Sequence, residues 1–179
     1  MKIPEVISRE IIYNNSWRKI ILKTLKIKTG EKQQYPINSH VWEKYATMIF
    51  PITQDWDVVY CKEWRPWIED FVYSFPVWMQ ETELSFRENA IKELEEEVWC
   101  LSDNISSLWE TIASNFDSTI IKFFFAASCT LWKNNLEDWE YIEVQKCSLV
   151  EFEQKIISWE INCPLTISCY TKAKLQKLI

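Results

Sequence analysis

Two kinds of hydrophobic periodicity alternate along the chain. Residues 6–13 and 18–28 are rich in β-branched side chains, and Asn14-Asn15-Ser16-Trp17 joins them in the pattern of a hairpin. Residues 29–42 are polar and loop-like. Residues 44–52 and 57–62 flank the turn at Asp55-Trp56 and predict a second hairpin, and residues 71–75 predict a short strand stopped by Pro76. From Ser85 the period changes. Phe86, Ala90, Ile91, Leu94 and Val98 recur at helical spacing, and Ser85 with Glu88 three residues on makes a capping box, so a helix is expected over 85–98. Residues 105–112 and 119–128 return to strand character, the second as the continuous apolar run of a buried central strand. A loop over 129–139, a strand over 140–146 and helices over 149–158 and 164–179 complete the pattern. Strands first, then helices interleaved with strands, predict a mixed sheet covered by helices, an α/β (α+β) fold. An N-terminal β arm over 1–43 would precede the main domain over 44–179.

The chain of 179 residues is long enough for one domain with a substantial core, and 47% hydrophobic with 26% charged residues excludes wholesale disorder. A net charge of −6 argues against a sequence-independent grip on nucleic acid or on anionic lipid. No apolar run approaches the roughly 18 residues that would cross a bilayer, and the opening Met-Lys-Ile-Pro-Glu-Val lacks a signal peptide's apolar stretch. The six cysteines include no C-x-x-C pair and lie mostly in apolar runs, as expected for reduced core thiols of a cytoplasmic protein. His40 is the single histidine, so Ser-His-Asp, Cys-His or multi-histidine metal chemistry must pass through it or be absent.

One pair of counts is abnormal: one glycine and eleven tryptophans. Ordinary usage of about 7% would bring roughly a dozen glycines, and the two counts together come to about that number. Several tryptophans stand where turns want glycine. Trp56 lies between two strand-like runs, Trp139 follows Glu137-Asp138, Trp17 follows Asn14-Asn15-Ser16, and Trp159 closes a helical stretch where a glycine cap is expected. Most of these codons are therefore expected to be UGA, read as glycine in the native host. The alternative is a tryptophan-rich binding surface, such as a carbohydrate reader.

The helix over 85–98 carries Lys92-Glu93-Leu94-Glu95-Glu96-Glu97. Glu93, Glu96 and Glu97 fall at i, i+3 and i+4, one face of one turn, where like charges repel unless a cation offsets them. Hard divalent ions favour such oxygen ligands; a solvated acidic face is the plainer alternative. With tryptophan read as glycine, the stretch from Trp78 to Cys100 resembles the Nudix box of Nudix hydrolases, Gly-x5-Glu-x7-Arg-Glu-U-x-Glu-Glu-x-Gly-U with U aliphatic. Trp78 falls on the first Gly, Glu93 on the Glu after Arg, Leu94 on U, Glu96 and Glu97 on the Glu pair, and Trp99 on the last Gly. Leu84 replaces the first Glu, with Glu83 adjacent, Lys92 replaces Arg, and Cys100 takes the last aliphatic place. Lys62-Glu63-Trp64-Arg65-Pro66-Trp67, Glu137-Asp138-Trp139-Glu140-Tyr141-Ile142-Glu143-Val144 and Ile156-Ile157-Ser158-Trp159-Glu160-Ile161 are similar to segments of the ADP-ribose pyrophosphatase-like subgroup, so the resemblance spans about residues 6–174.

That resemblance implies an α/β/α sandwich and hydrolysis of the pyrophosphate bond of a nucleoside diphosphate linked to another group, ADP-ribose or a nucleotide sugar. It implies Mg²⁺, with Mn²⁺ as a substitute, held by Glu93, Glu96, Glu97 and the backbone carbonyl of Val77. The catalytic carboxylates are expected to be Glu140 or Glu137 as general base in an acidic loop, together with Glu96. Arg65 is a candidate phosphate or ribose contact, beside Glu63, or else one half of a surface ion pair. The only partners expected are the small-molecule substrate and a second copy of the chain, paired through the N-terminal arm. Leu84 and Lys92 keep a second reading open, a catalytically impaired Nudix-fold nucleotide-binding module.

Overall fold

Among the described residues, eleven strands and three helices form where the chain's alternation of patterns places them, with informative exceptions. The computed structural model describes residues 3–16, 18–40, 44–65, 68–132 and 142–179. The strands are β1 (Glu5–Asn14), β2 (Arg18–Lys26), β3 (Lys32–His40), β4 (Tyr45–Thr53), β5 (Asp57–Arg65), β6 (Asp70–Ser74), β7 (Val77–Met79), β8 (Cys100–Leu101), β9 (Asn104–Ser114), β10 (Asp117–Leu131) and β11 (Ile142–Ser148). The helices are α1 (Phe86–Val98), α2 (Leu149–Ile157) and α3 (Pro164–Leu175).

Residues through Tyr45 cluster with Ile112–Ile120 as one unit, and Ala46–Thr111 with Ile121–Ile179 as the other. In the first, β1 pairs antiparallel with β2 and β2 with β3, and β3 meets the start of β10 in parallel at Asn38 and Asp117. The segment expected as a loop over 29–42 is thus largely a strand. It escapes a hydrophobic-pattern reading because Lys32–Pro36 are exposed and no face of that stretch is apolar. Gly30 makes the preceding turn at φ +89, a conformation open to glycine at no steric cost. Ile7, Ile11 and Ile12 of β1 are exposed.

In the second unit β4 pairs antiparallel with β5 and β5 with β11, while β6 joins β5 and β7 joins β4. The central strands are buried on both faces, so successive residues serve two different cores. On one face Ile49, Val59, Cys61, Phe124 and Ala126 pack against Ala90, Leu94 and Val98 of α1. On the other Phe50 stacks on Phe75 at 4.5 Å and meets Phe125 at 5.3 Å, and Phe75 stacks on Phe152 of α2 at 5.4 Å. Tyr170 of α3 closes this cluster 5.3 Å from Phe152. A sheet with α1 on one face and α2 and α3 on the other is the layered mixed α/β arrangement the sequence pattern predicts.

The start of α1 follows its sequence signal closely. Ser85 accepts the Glu88 N–H at 3.2 Å while Glu88 returns to the Ser85 N–H at 2.8 Å, satisfying two helix-end donors. Five of the six cysteines are buried, and all six are free thiols. Among the described residues no helix is long and apolar enough to cross a membrane.

Candidate active site

The carboxylates of α1 do not share one environment. Glu93 is 4% exposed, and its Oε1 is buried without a hydrogen-bond partner. Glu97, one turn on, is half-buried; its Oε2 accepts the Val77 N–H at 3.1 Å and lies 4.0 Å from the Cys61 sulfur. Glu96 is exposed and lies 3.6 Å from the Lys92 ammonium, which also ion-pairs with Glu81. Among the described residues no three His, Cys, Asp or Glu side chains gather at one point, so the helical turn splits into a buried pair and an outer member.

Burial is the main reason the buried pair resists ionisation. It pushes Glu93 up to about 7, with the neighbouring Glu96 and Glu81 adding to the shift and Lys92 opposing it. Glu97 is held well above the ordinary carboxylate range by burial, then by Glu93 and Glu63; the Val77 N–H and Arg65 pull the other way. Between about pH 4.5 and about 7 the folded chain keeps a proton on Glu93 that the unfolded chain has released, so stability falls as pH rises. The contribution is fully present below the lower value and gone above the upper one. Cation-free protein is therefore expected to melt lower at pH 8 than at pH 5, and Glu93→Gln to flatten that slope. A thermal-denaturation series in which parent and variant share one pH profile would contradict this.

An orphaned carboxylate oxygen beside a second buried carboxylate is a donor set that a hard divalent cation fits, since added positive charge offsets the repulsion and oxygen ligands suit Mg²⁺ or Mn²⁺. Val77 lies on β7 opposite Met48, and its N–H is spent on Glu97. Cys61, Glu63 and Arg65 share one face of β5, since every second residue of a strand does. Cys61 brings that face to Glu97, and Glu63 forms an ion pair with Arg65, both side chains about one-fifth exposed. Arg65 and Glu63 are thereby placed on the strand that borders the carboxylate pair.

Two residues were missed by pattern reading. The partner of Lys92 is Glu81, in the loop before α1, where no periodicity marks it; Glu83, beside the substituted position at Leu84, is not the residue that pairs. Asn89 is fully buried one turn before Glu93, and its Oδ1 takes the Glu81 N–H at 3.0 Å. A polar residue on the buried face of α1, four before Glu93, is the signal that could have found it. Glu137 and Glu140, the expected general base in either assignment, lie outside the described residues. His40 closes β3.

No family model matches the chain, and no curated protein matches it by sequence. Among solved structures it resembles one described as an ADP compounds hydrolase, with a TM-score of 0.83 at 17% identity, over 98% of this chain and 95% of that one. At that identity the likeness establishes the fold alone, and the mixed α/β arrangement of sheet and helices expected from the sequence is the one the chain adopts.

Proposed function

We propose that the chain is a Mg²⁺-dependent hydrolase of the pyrophosphate bond in a nucleoside diphosphate linked to another group, with ADP-ribose or a nucleotide sugar as substrate. The observation that carries this reading is the pair Glu93 and Glu97, one with an unsatisfied buried oxygen and both held against ionisation chiefly by burial, Glu93 also by Glu96 and Glu97 also by Glu93. Glu93 and Glu97, with Glu96 and the Val77 carbonyl, would hold the ion. The chemistry such an ion supplies is neutralisation of phosphate charge and easier deprotonation of the attacking water. Arg65, ion-paired to Glu63, is assigned to the phosphates or ribose, a task suited to a guanidinium fork. Glu140, with Glu137 next, is assigned to take the water's proton, since a general base must be a positioned group of suitable basicity. The fold shared with a protein described as an ADP compounds hydrolase supports the substrate class.

The Glu81–Lys92 pair bears on the impaired-module reading. Leu84 and Lys92 depart from the family pattern, yet Lys92 still meets a carboxylate from the preceding loop and still lies beside Glu96. Lys92 therefore ties the loop before α1 to the helix through Glu81. This favours the enzyme. The apolar residues exposed on β1, at one end of the strand order, are where a second copy would pair. The test is direct: ADP-ribose with Mg²⁺ should yield AMP and ribose 5-phosphate, and a nucleotide-sugar panel should rank below or above it. Binding of these nucleotides without any hydrolysis under Mg²⁺ or Mn²⁺ would overturn the enzyme reading.

A further inference from the structure

We infer that positions 56, 99, 109 and 159, tryptophan in this sequence, are glycine in the protein its native host makes, encoded by UGA. The backbone carries the argument. Trp56, Trp99, Trp109 and Trp159 have φ of 66°, 52°, 77° and 65°. They are four of the seven described tryptophans, whereas among all other described non-glycine residues only Glu69, Ser128 and Lys177 have positive φ. Left-handed backbone brings Cβ against the neighbouring carbonyl, a clash that only glycine escapes. Gly30, the single glycine of the sequence, is itself at φ +89.

Each position also fills a slot that a glycine motif defines. Trp56 is the last of three residues between β4 and β5, with its N–H on the Thr53 carbonyl at 3.1 Å. A type I turn followed by a left-handed glycine is the usual build of that loop. Trp99 caps α1 in the left-handed conformation, its N–H reaching back to the Leu94 carbonyl. Trp159 follows the α2 cap, Ser158, and donates to the Ile156 carbonyl at 3.2 Å, the second bond of a Schellman ending. Trp109 interrupts β9 with a positive φ, as the glycine of a bulge does.

At three of the four positions the side chain buries little that would offset this strain, and Trp99 is half-buried. Trp56, Trp109 and Trp159 are 56%, 74% and 75% exposed, although an indole is ordinarily well buried. The four lie on a hairpin turn, at two helix ends and at one left-handed position inside a strand, where backbone calls for glycine and not where a binding surface would recruit aromatics. Trp64 is the contrast. It sits within β5 directly opposite Phe71, a cross-strand aromatic pair in extended backbone, where tryptophan belongs. Trp78 on β7 is likewise in a paired strand and does not have a positive φ. One mechanism exchanges tryptophan for glycine at scattered sites: UGA differs from the tryptophan codon UGG in its third base and from the glycine codon GGA in its first. A single-base change in either anticodon therefore captures it, and the same gene read under the two codes yields the two residues.

The test is tandem mass spectrometry of peptides from the protein purified from its native host. Glycine is expected at 56, 99, 109 and 159; tryptophan at any of them overturns the inference. A second measurement needs no native material. The chain carrying Trp56→Gly, Trp99→Gly, Trp109→Gly and Trp159→Gly should melt at a higher temperature than the tryptophan chain, because relief of the left-handed clash exceeds glycine's entropic cost. An equal or lower midpoint overturns it. So does a rise of similar size from Trp64→Gly, which would show that loss of any indole stabilises.

Discussion

Replacing Glu97 with Gln is expected to lower Mg²⁺-dependent turnover of ADP-ribose by about 10³-fold or more while leaving the fold intact, whichever residue stands at the four left-handed positions. The substitution is nearly isosteric. A Gln amide oxygen still accepts the Val77 N–H that Glu97 accepts at 3.1 Å, so β7 stays docked on α1. What is lost is a carboxylate that can ionise when a cation sits beside it, which a neutral amide cannot do. A cation's stabilisation of the transition state amounts to several kcal/mol, and each 1.36 kcal/mol is tenfold in rate, which sets the expected scale. Stability should move the other way. Burial, Glu93 and Glu63 all oppose ionisation of Glu97, so the neutral amide should raise the melting temperature of cation-free protein at neutral pH. Opposite signs in turnover and stability mark a residue retained for chemistry. Turnover unchanged, or lost together with the fold, would contradict the assignment.

The second large effect is structural. Phe75→Ala should destabilise the chain by about 4 kcal/mol, in the range of buried aromatic truncations. For a domain of this size that lowers the melting temperature by roughly 10 °C. Phe75 is fully buried between Phe50 and Phe152, both near parallel to it at 15° and 10°. Its N–H donates to Thr166 of α3 at 3.2 Å, and the next carbonyl, on Pro76, takes the Ile49 N–H at 3.0 Å. The ring therefore pins the segment that ends in Val77 and its bond to Glu97. Phe75→Leu, which keeps most of the volume, should cost far less. Equal melting temperatures for both variants and the parent would mean that this aromatic stack does not anchor the core.

Elements with a strong local signal were readable from sequence, and the reasons for the others differ. Helix α1 was marked by its capping box and its apolar spacing, and β10 by an apolar run, broken only at Lys122, whose residues 123–126 are buried on both faces. Strand β3 was not, because Lys32-Gln33-Gln34-Tyr35-Pro36 is exposed and Pro36 argues against a strand; it is tolerated where pairing runs mainly to β2. Strands β7 and β8, of three and two residues, are too short for any periodicity. At the site, helical spacing placed Glu93, Glu96 and Glu97 within one turn but could not say which would be buried. That depends on β5 and β7 packing against the 93 and 97 side, and on Lys92 drawing Glu96 outward, both consequences of tertiary structure. Glu81 was hidden for the same reason, since its pairing with Lys92 joins a loop to a helix across eleven residues. The tryptophan anomaly was visible as a pair of counts, and the backbone conformation then singled out which positions carry it.

If Glu93 and Glu97 are retained to hold a divalent cation, calorimetric titration of metal-free protein with Mg²⁺ should show it. The parent chain is expected to give a saturable heat, abolished when Glu93→Gln and Glu97→Gln are combined, with both proteins folded by circular dichroism. No saturable heat in the parent, or an undiminished one in the double variant, would contradict it.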